Sequence, residues 1–233
     1  MLSRRSLYRI AVFAGLMAVL DAAPGLPQLS SGVWYGWTFV AEPLIGVFFS
    51  PSEAFFSALI GVMAGHVIGF RGDVYEFIFA LGAPVGASVS SLAFRGRLIP
   101  IAAYYVFSLA AYFLSPSSVS LPFWALWDTY IAFFLLLAVV LIGRKRFETM
   151  KRTYVLALSA VIGLEADILL RIFIFVPLGT YKWLYGFSVE FVQAVWAVSA
   201  LVTPIQVGIA TLLTVIVGKT LGGTVDVLKQ HAP

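Results

Sequence analysis

The chain contains no cysteine, which excludes disulfides, thiol nucleophiles and thiolate-ligated metals. Histidine is nearly as scarce. His66 and His231 are the whole complement, too few for a His-rich metal centre. Charged residues make up 11% of the chain, where an ordinary soluble domain carries about 25%. The longest polar stretches are the termini and the segment around 143–153, so there is no room for a sizeable soluble domain. Gly-x-Ser-x-Gly, His-Glu-x-x-His, phosphate-loop and dinucleotide-binding glycine motifs are all missing. Catalysis therefore has no sequence signature here, and no cofactor or metal is expected.

What is present is apolar: 61% of residues are hydrophobic and the mean hydropathy is +0.98, as in an integral membrane protein. Apolar segments fall at roughly 8–26, 35–49, 53–70, 74–93, 98–114, 122–143, 153–178 and 189–217, separated by proline, glycine, serine or charge. The expectation is an all-α polytopic bundle of about eight membrane segments, forming a single domain over 1–233. Segment 35–49 is short and contains Glu42-Pro43, so a tilted, broken or re-entrant course is open for it.

The net charge of +4 sits in short clusters at Arg4/Arg5/Arg9, Arg95/Arg97 and Arg144–Arg152. Such clusters mark cytoplasmic loops rather than a nucleic-acid footprint. A cytoplasmic N-terminus puts every cluster inside, together with Lys219 and Lys229, and leaves only Arg71 and Lys182 outside; the C-terminus is then cytoplasmic too. The arginine-led run Ile10–Leu20, followed by Asp21-Ala-Ala-Pro, has the look of a cleavable secretion signal. Its alanines at four-residue spacing suit a packing helix better, and a retained first helix is expected.

The most informative stretch is Gly163–Arg171, inside the apolar run 154–178. Asp167 and Arg171 are four apart, share a helix face and can neutralise each other, whereas Glu165 points elsewhere and needs a partner on another helix or in a polar cavity. A structural ion pair is the competing explanation. Glu165 and Asp167, two apart, are poorly placed for joint acid–base work. Elsewhere, acids lie among aromatics: Trp34, Tyr35 and Trp37 precede Glu42, Tyr75 adjoins Glu76, and Tyr181, Lys182, Trp183 and Tyr185 precede Glu190, Gln193 and Trp196. An interfacial belt explains the aromatics but not the acids. Stacking surfaces beside a few polar groups suit a small planar solute. The candidate substrate-binding set is Trp37, Glu42, Tyr75, Glu76, Glu165, Arg171, Trp183, Glu190, Gln193 and Trp196. His66 reads equally as a helix-packing hydrogen bonder or a ligand contact, Asp128 as an interfacial group, and Gln206 as a partner for carbonyls freed by Pro204.

Small residues recur at four-residue spacing at Ala14/Ala18/Ala22, Gly61/Gly65/Gly69 and Gly82/Gly86, as helix-packing seams do. With these residues in hand, the chain resembles the substrate-binding S-components of energy-coupling factor (ECF) vitamin transporters. The resemblance rests on Ala14-x-x-x-Ala18, on Trp37 to Gly61 with its proline break and following Gly-rich helix, on Arg144 to Leu178, and on Val189 to Leu221. It implies that Ala14 and Ala18 dock a transmembrane coupling subunit working with two ATPase subunits, and that the solute sits beneath external connections, here 27–37, 71–76 and 179–196. The family has six helices, and an extra hairpin at about 98–143 reconciles the counts. An acid-leaning site favours a cationic or neutral heterocycle, thiamine-like for example, over a phosphorylated one. The expected function is capture of a small water-soluble vitamin or related heterocycle for ATP-driven uptake. The alternatives are an intramembrane lipid- or isoprenoid-modifying enzyme and a noncatalytic scaffold or channel.

Overall fold

The computed structural model describes residues 3–25, 36–69 and 74–230, and among them every regular element is helical. Trp34, Tyr35, Arg71 and His231 lie outside the described residues, as do the side chains of Tyr75, Arg144, Lys145 and Lys229. The helices are α1 (Arg4–Ala22), α2 (Thr38–Phe48), α3 (Pro51–Ile68), α4 (Val74–Phe79), α5 (Gly82–Phe94), α6 (Leu98–Leu114), α7 (Trp127–Ile142), α8 (Arg144–Glu148), α9 (Arg152–Phe175), α10 (Thr180–Trp183) and α11 (Val189–Gln230). Two 3₁₀ turns, Pro116–Ser120 and Phe123–Leu126, link α6 to α7.

Local chemistry sets several of these boundaries. Ser3 caps α1 by accepting from the Ser6 amide. Ser50 and Glu53 form a reciprocal capping box, and Pro51, whose missing N–H costs nothing in a first turn, starts α3. Gly143, at φ 81°, turns the chain from α7 into the basic α8. The apolar run 74–93, which reads as one helix in sequence, is broken at Ala80–Leu81. Pro84 accounts for the break, because it cannot donate to the Ala80 carbonyl four residues back and its ring crowds that carbonyl.

Four helical stretches are long and apolar enough to cross a membrane: Pro51–Ile68, Glu76–Phe94, Phe123–Ile142 and Val189–Leu221. Thr38–Phe48 and Leu98–Leu114 are apolar but shorter. α9, at 24 residues, has the length but carries Glu165, Asp167 and Arg171 within it. The outward faces bear large apolar side chains, with Ile99, Leu114 and Leu141 among the most exposed, which is the finish a lipid-facing surface requires.

α9 is the hub. It packs along α5 over the longest interface in the bundle and also meets α2, α6, α7 and α11, while α1 packs along α3. The 98–143 hairpin is built into this core: Tyr104 and Tyr105 of α6 donate to the Ala166 and Ile162 carbonyls of α9 at 2.9 and 2.7 Å. Close approach rests on glycine. A methyl group at Gly61 would come within 2.7 Å of the Ala14 carbonyl, and one at Gly65 within 2.8 Å of the Ala18 carbonyl. Ala14 and Ala18 are each only 6% exposed. The α1 alanine face thus packs into the α1–α3 seam, so little of Ala14 and Ala18, the two residues expected to dock a coupling subunit, remains at the surface.

Candidate functional site

α2, α5, α9 and α11 surround a cavity of about 200 Å³. Each helix contributes a stripe at helical spacing: Thr38, Phe39 and Glu42 from α2; Asp167, Ile168, Arg171, Ile172 and Phe175 from α9; Val195, Trp196, Ser199, Thr203 and Gln206 from α11. Asp21 of α1, His66 of α3, Glu76 and Phe79 of α4, and Asp128 of α7 complete the polar lining. Five acids therefore face one arginine and one histidine, and the site leans strongly negative.

The polar groups fall into three sets. In the first, His66 Nδ1 lies 2.7 Å from Asp21 Oδ2 and 2.9 Å from the Val62 carbonyl. Both neighbours are acceptors, so Nδ1 carries the proton, and Nε2 is left facing Glu76 Oε2 at 3.7 Å. In the second, Arg171 donates through Nε and Nη2 to the two Asp167 oxygens at 2.6 and 3.0 Å, a bidentate pair. Across the bare α5 face from Asp167 stands Glu42. It is 1% exposed, and neither of its oxygens has a hydrogen-bond partner among the described residues. In the third, the Asp128 carboxylate receives the Thr203 hydroxyl on one oxygen and the Thr129 amide on the other.

Opposite these groups stands an aromatic wall. Phe175 stacks on Trp196 with ring centroids 5.8 Å apart and meets Phe79 and Tyr185 edge-on at 5.4 Å each. Tyr185 stacks on Phe187 at 5.3 Å. The Trp196 Nε1 group is buried and has no acceptor among the described residues. Such a wall offers π faces to a planar or cationic guest.

Of the ten candidate side chains from sequence, Glu42, Glu76, Arg171 and Trp196 meet in this cavity. Glu165 does not. It is buried away from the cavity, accepting from the Thr129 hydroxyl at 2.8 Å, and so ties α9 to α7. Glu190 is solvent-exposed at the start of α11, and the exposed Gln193 donates to the Ser120 carbonyl. Trp183 is 67% exposed and donates to Leu178 O. Trp37 turns away to donate to Pro24 O, leaving its neighbours Gly36 and Thr38 on the cavity. The Tyr75 side chain lies outside the described residues. These placements carry a prediction: Glu190→Gln and Trp183→Phe leave solute retention within about two-fold, since changes remote from a site rarely move it further. A larger drop, read by mass spectrometry of the purified variants, moves the site outward.

Sequence reasoning missed Asp21, Asp128, Asp167, Phe79 and Phe175 as lining groups. The signal for the α9 members was the spacing 167/168/171/172/175, one face of one helix. Asp21 had no such signal, because its role depends on how α1 rotates against α3. No family model, curated protein or solved structure matches the chain.

Proposed function

We propose that the chain is a multi-pass cell-membrane protein that captures a small, planar, water-soluble heterocycle from outside the cell and presents it for uptake. One observation carries this reading: acids from α1, α2, α4, α7 and α9 converge with an aromatic wall on a single cavity. Buried charge is costly in a membrane bundle, and a structural role needs pairs rather than an excess of five acids over two basic groups. A cavity of about 200 Å³ is smaller than the roughly 300–1,000 Å³ of drug-sized ligand pockets, so it suits a single ring with a short substituent better than a two-ring, thiamine-sized molecule.

In this reading the apolar segments make about eight crossings, the basic clusters keep both termini in the cytoplasm, and the hairpin 98–143 is added to a six-helix core. The resemblance to ECF S-components supports ATP-driven uptake through partner subunits, since this chain has no nucleotide motif of its own. With Ala14 and Ala18 buried, a coupling subunit docks on another face.

Native mass spectrometry of the protein released from nanodiscs tests the proposal. The expected spectrum shows a retained small molecule, removed by exhaustive dialysis and restored by a cell extract. A spectrum of bare protein both before and after exposure to extract rejects solute capture. Turnover of membrane lipid by the purified protein favours the enzyme alternative instead.

A further inference from the structure

Glu42 is the fully buried acid of the site, and neither of its oxygens receives a hydrogen bond among the described residues. Asp167 has the Arg171 guanidinium on both oxygens, and Asp128 has a hydroxyl and an amide. Glu42 sits deeper than any of these without a hydrogen bond to either oxygen among the described residues, and a buried carboxylate left without donors is among the costliest groups a fold can hold. The surrounding backbone is shaped to admit it. A methyl group at Gly86 would lie 2.8 Å from Glu42 Oε2 and 2.9 Å from Asp167 Cβ, so the bare face of α5 is what lets two acids stand side by side. Arg171 spends its Nε and Nη2 donors on Asp167 and makes no hydrogen bond to either Glu42 oxygen.

From this geometry, and resting on the solute-capture reading above, we infer that the solute is a planar monocation. Its paired N–H donors, of the amidinium, guanidinium or aminopyridinium type, close on Glu42, and its ring lies toward the Trp196–Phe175 stack. A carboxylate whose two oxygens are both vacant takes a two-donor cation in parallel hydrogen bonds, the arrangement Asp167 already makes with Arg171. The aromatic wall adds attraction for the delocalised charge. An anionic solute would meet five acids, and a neutral amide brings no charge to a site that leans negative.

The probes are three isosteres: benzamidinium, neutral benzamide and benzoate. Binding to the full chain in nanodiscs is read by tryptophan fluorescence and by thermal shift. Benzamidinium is expected to bind at least ten-fold more tightly than benzamide, with benzoate silent. Glu42→Gln, which keeps the shape and removes the charge, is expected to reduce the benzamidinium preference to two-fold or less. Equal binding of the cation and the amide, a preference that survives Glu42→Gln, or no binding by any of the three overturns the inference. So does a thermal shift produced equally by sodium ion and abolished in Glu42→Gln, since Glu42 is then an inorganic-cation site. The wild-type comparison stands even if the variant does not fold. A neutral or anionic molecule retained in native mass spectra sinks this inference while leaving solute capture intact, whereas bare protein throughout sinks capture itself.

Discussion

Replacing Arg171 by methionine is expected to lower the stability of the empty protein by about 1.5–3 kcal/mol, the usual worth of hydrogen bonds to a charged group, since Asp167 is buried while the Arg171 side chain is 32% exposed. The size of the effect follows from what is left behind. Asp167 accepts hydrogen bonds from Arg171 on both of its oxygens, so both lose those donors together. Glu42, on the opposite side of Gly86, loses the one guanidinium of the cavity lining among the described residues. Two carboxylates then share one low-dielectric space with no cation, and like-charge repulsion adds to desolvation. Asp167→Asn alone is the milder change, because Arg171 keeps the acids Glu42 and Glu76 around it. The double variant Asp167→Asn/Arg171→Met is expected to recover a large part of the loss, and adding Glu42→Gln to recover most of the remainder. Thermal unfolding in nanodiscs, followed by loss of the folded band or by scattering, gives the comparison. If Arg171→Met alone unfolds within a degree or two of wild type, the pair contributes nothing and the electrostatic account of the cavity fails with it.

This triad also shows what the sequence makes legible and where it stops. Apolar runs bounded by glycine, proline and charge place the helices, since only a segment with its backbone satisfied internally survives in lipid. The short, proline-containing α2 was visible as an anomaly because Glu42-Pro43 interrupts its apolar run. The split of α4 from α5 was equally present in the sequence, in Pro84, and is explained by the bond that Pro84 cannot make to Ala80. Depth along each helix could thus be read. Rotation about the helix axis could not. Glu165 and Asp167 differ by two positions, roughly 200° of turn, and only the packing of α5 against α9 decides that Asp167 faces the cavity and Glu165 faces Thr129. On α11 the sequence pointed to Glu190, Gln193 and Trp196; of these Trp196 lines the cavity, and the lining runs from Val195 to Gln206. Aromatic residues near the end of a membrane helix draw attention to the interface, which is why Glu190 and Gln193 were read together with Trp196 although they lie on the first turns of α11.

Gly163→Ala is the second large effect expected, and its sign can be set against a built-in control. α5 and α9 approach through paired glycines: a methyl group at Gly163 would lie 2.8 Å from the Gly86 carbonyl and 2.8 Å from Ser90 Cβ, with the Ser90 hydroxyl nearer still. Backbone atoms of two packed helices cannot yield by rotating a side chain, so the helices must separate, and overpacking of this kind costs about 1–3 kcal/mol or more. The consequences are not confined to stability. Gly86 is the residue that Glu42 and Asp167 flank, so pushing α5 from α9 also opens the spacing between those two acids and weakens benzamidinium binding. Glycines at Gly15 of α1 and Gly208 of α11 have open space where a methyl group would go. At those sites alanine is expected to stabilise by about 0.4–1 kcal/mol, because it narrows the conformational freedom of the unfolded chain and meets nothing in the folded one. The same substitution therefore has opposite signs on the two kinds of helix face. Parallel melting curves for Gly15→Ala, Gly208→Ala and Gly163→Ala decide the matter: if all three shift the same way, α5 and α9 are not in backbone contact, and the glycine-lined junction that holds Glu42 in place does not exist as described.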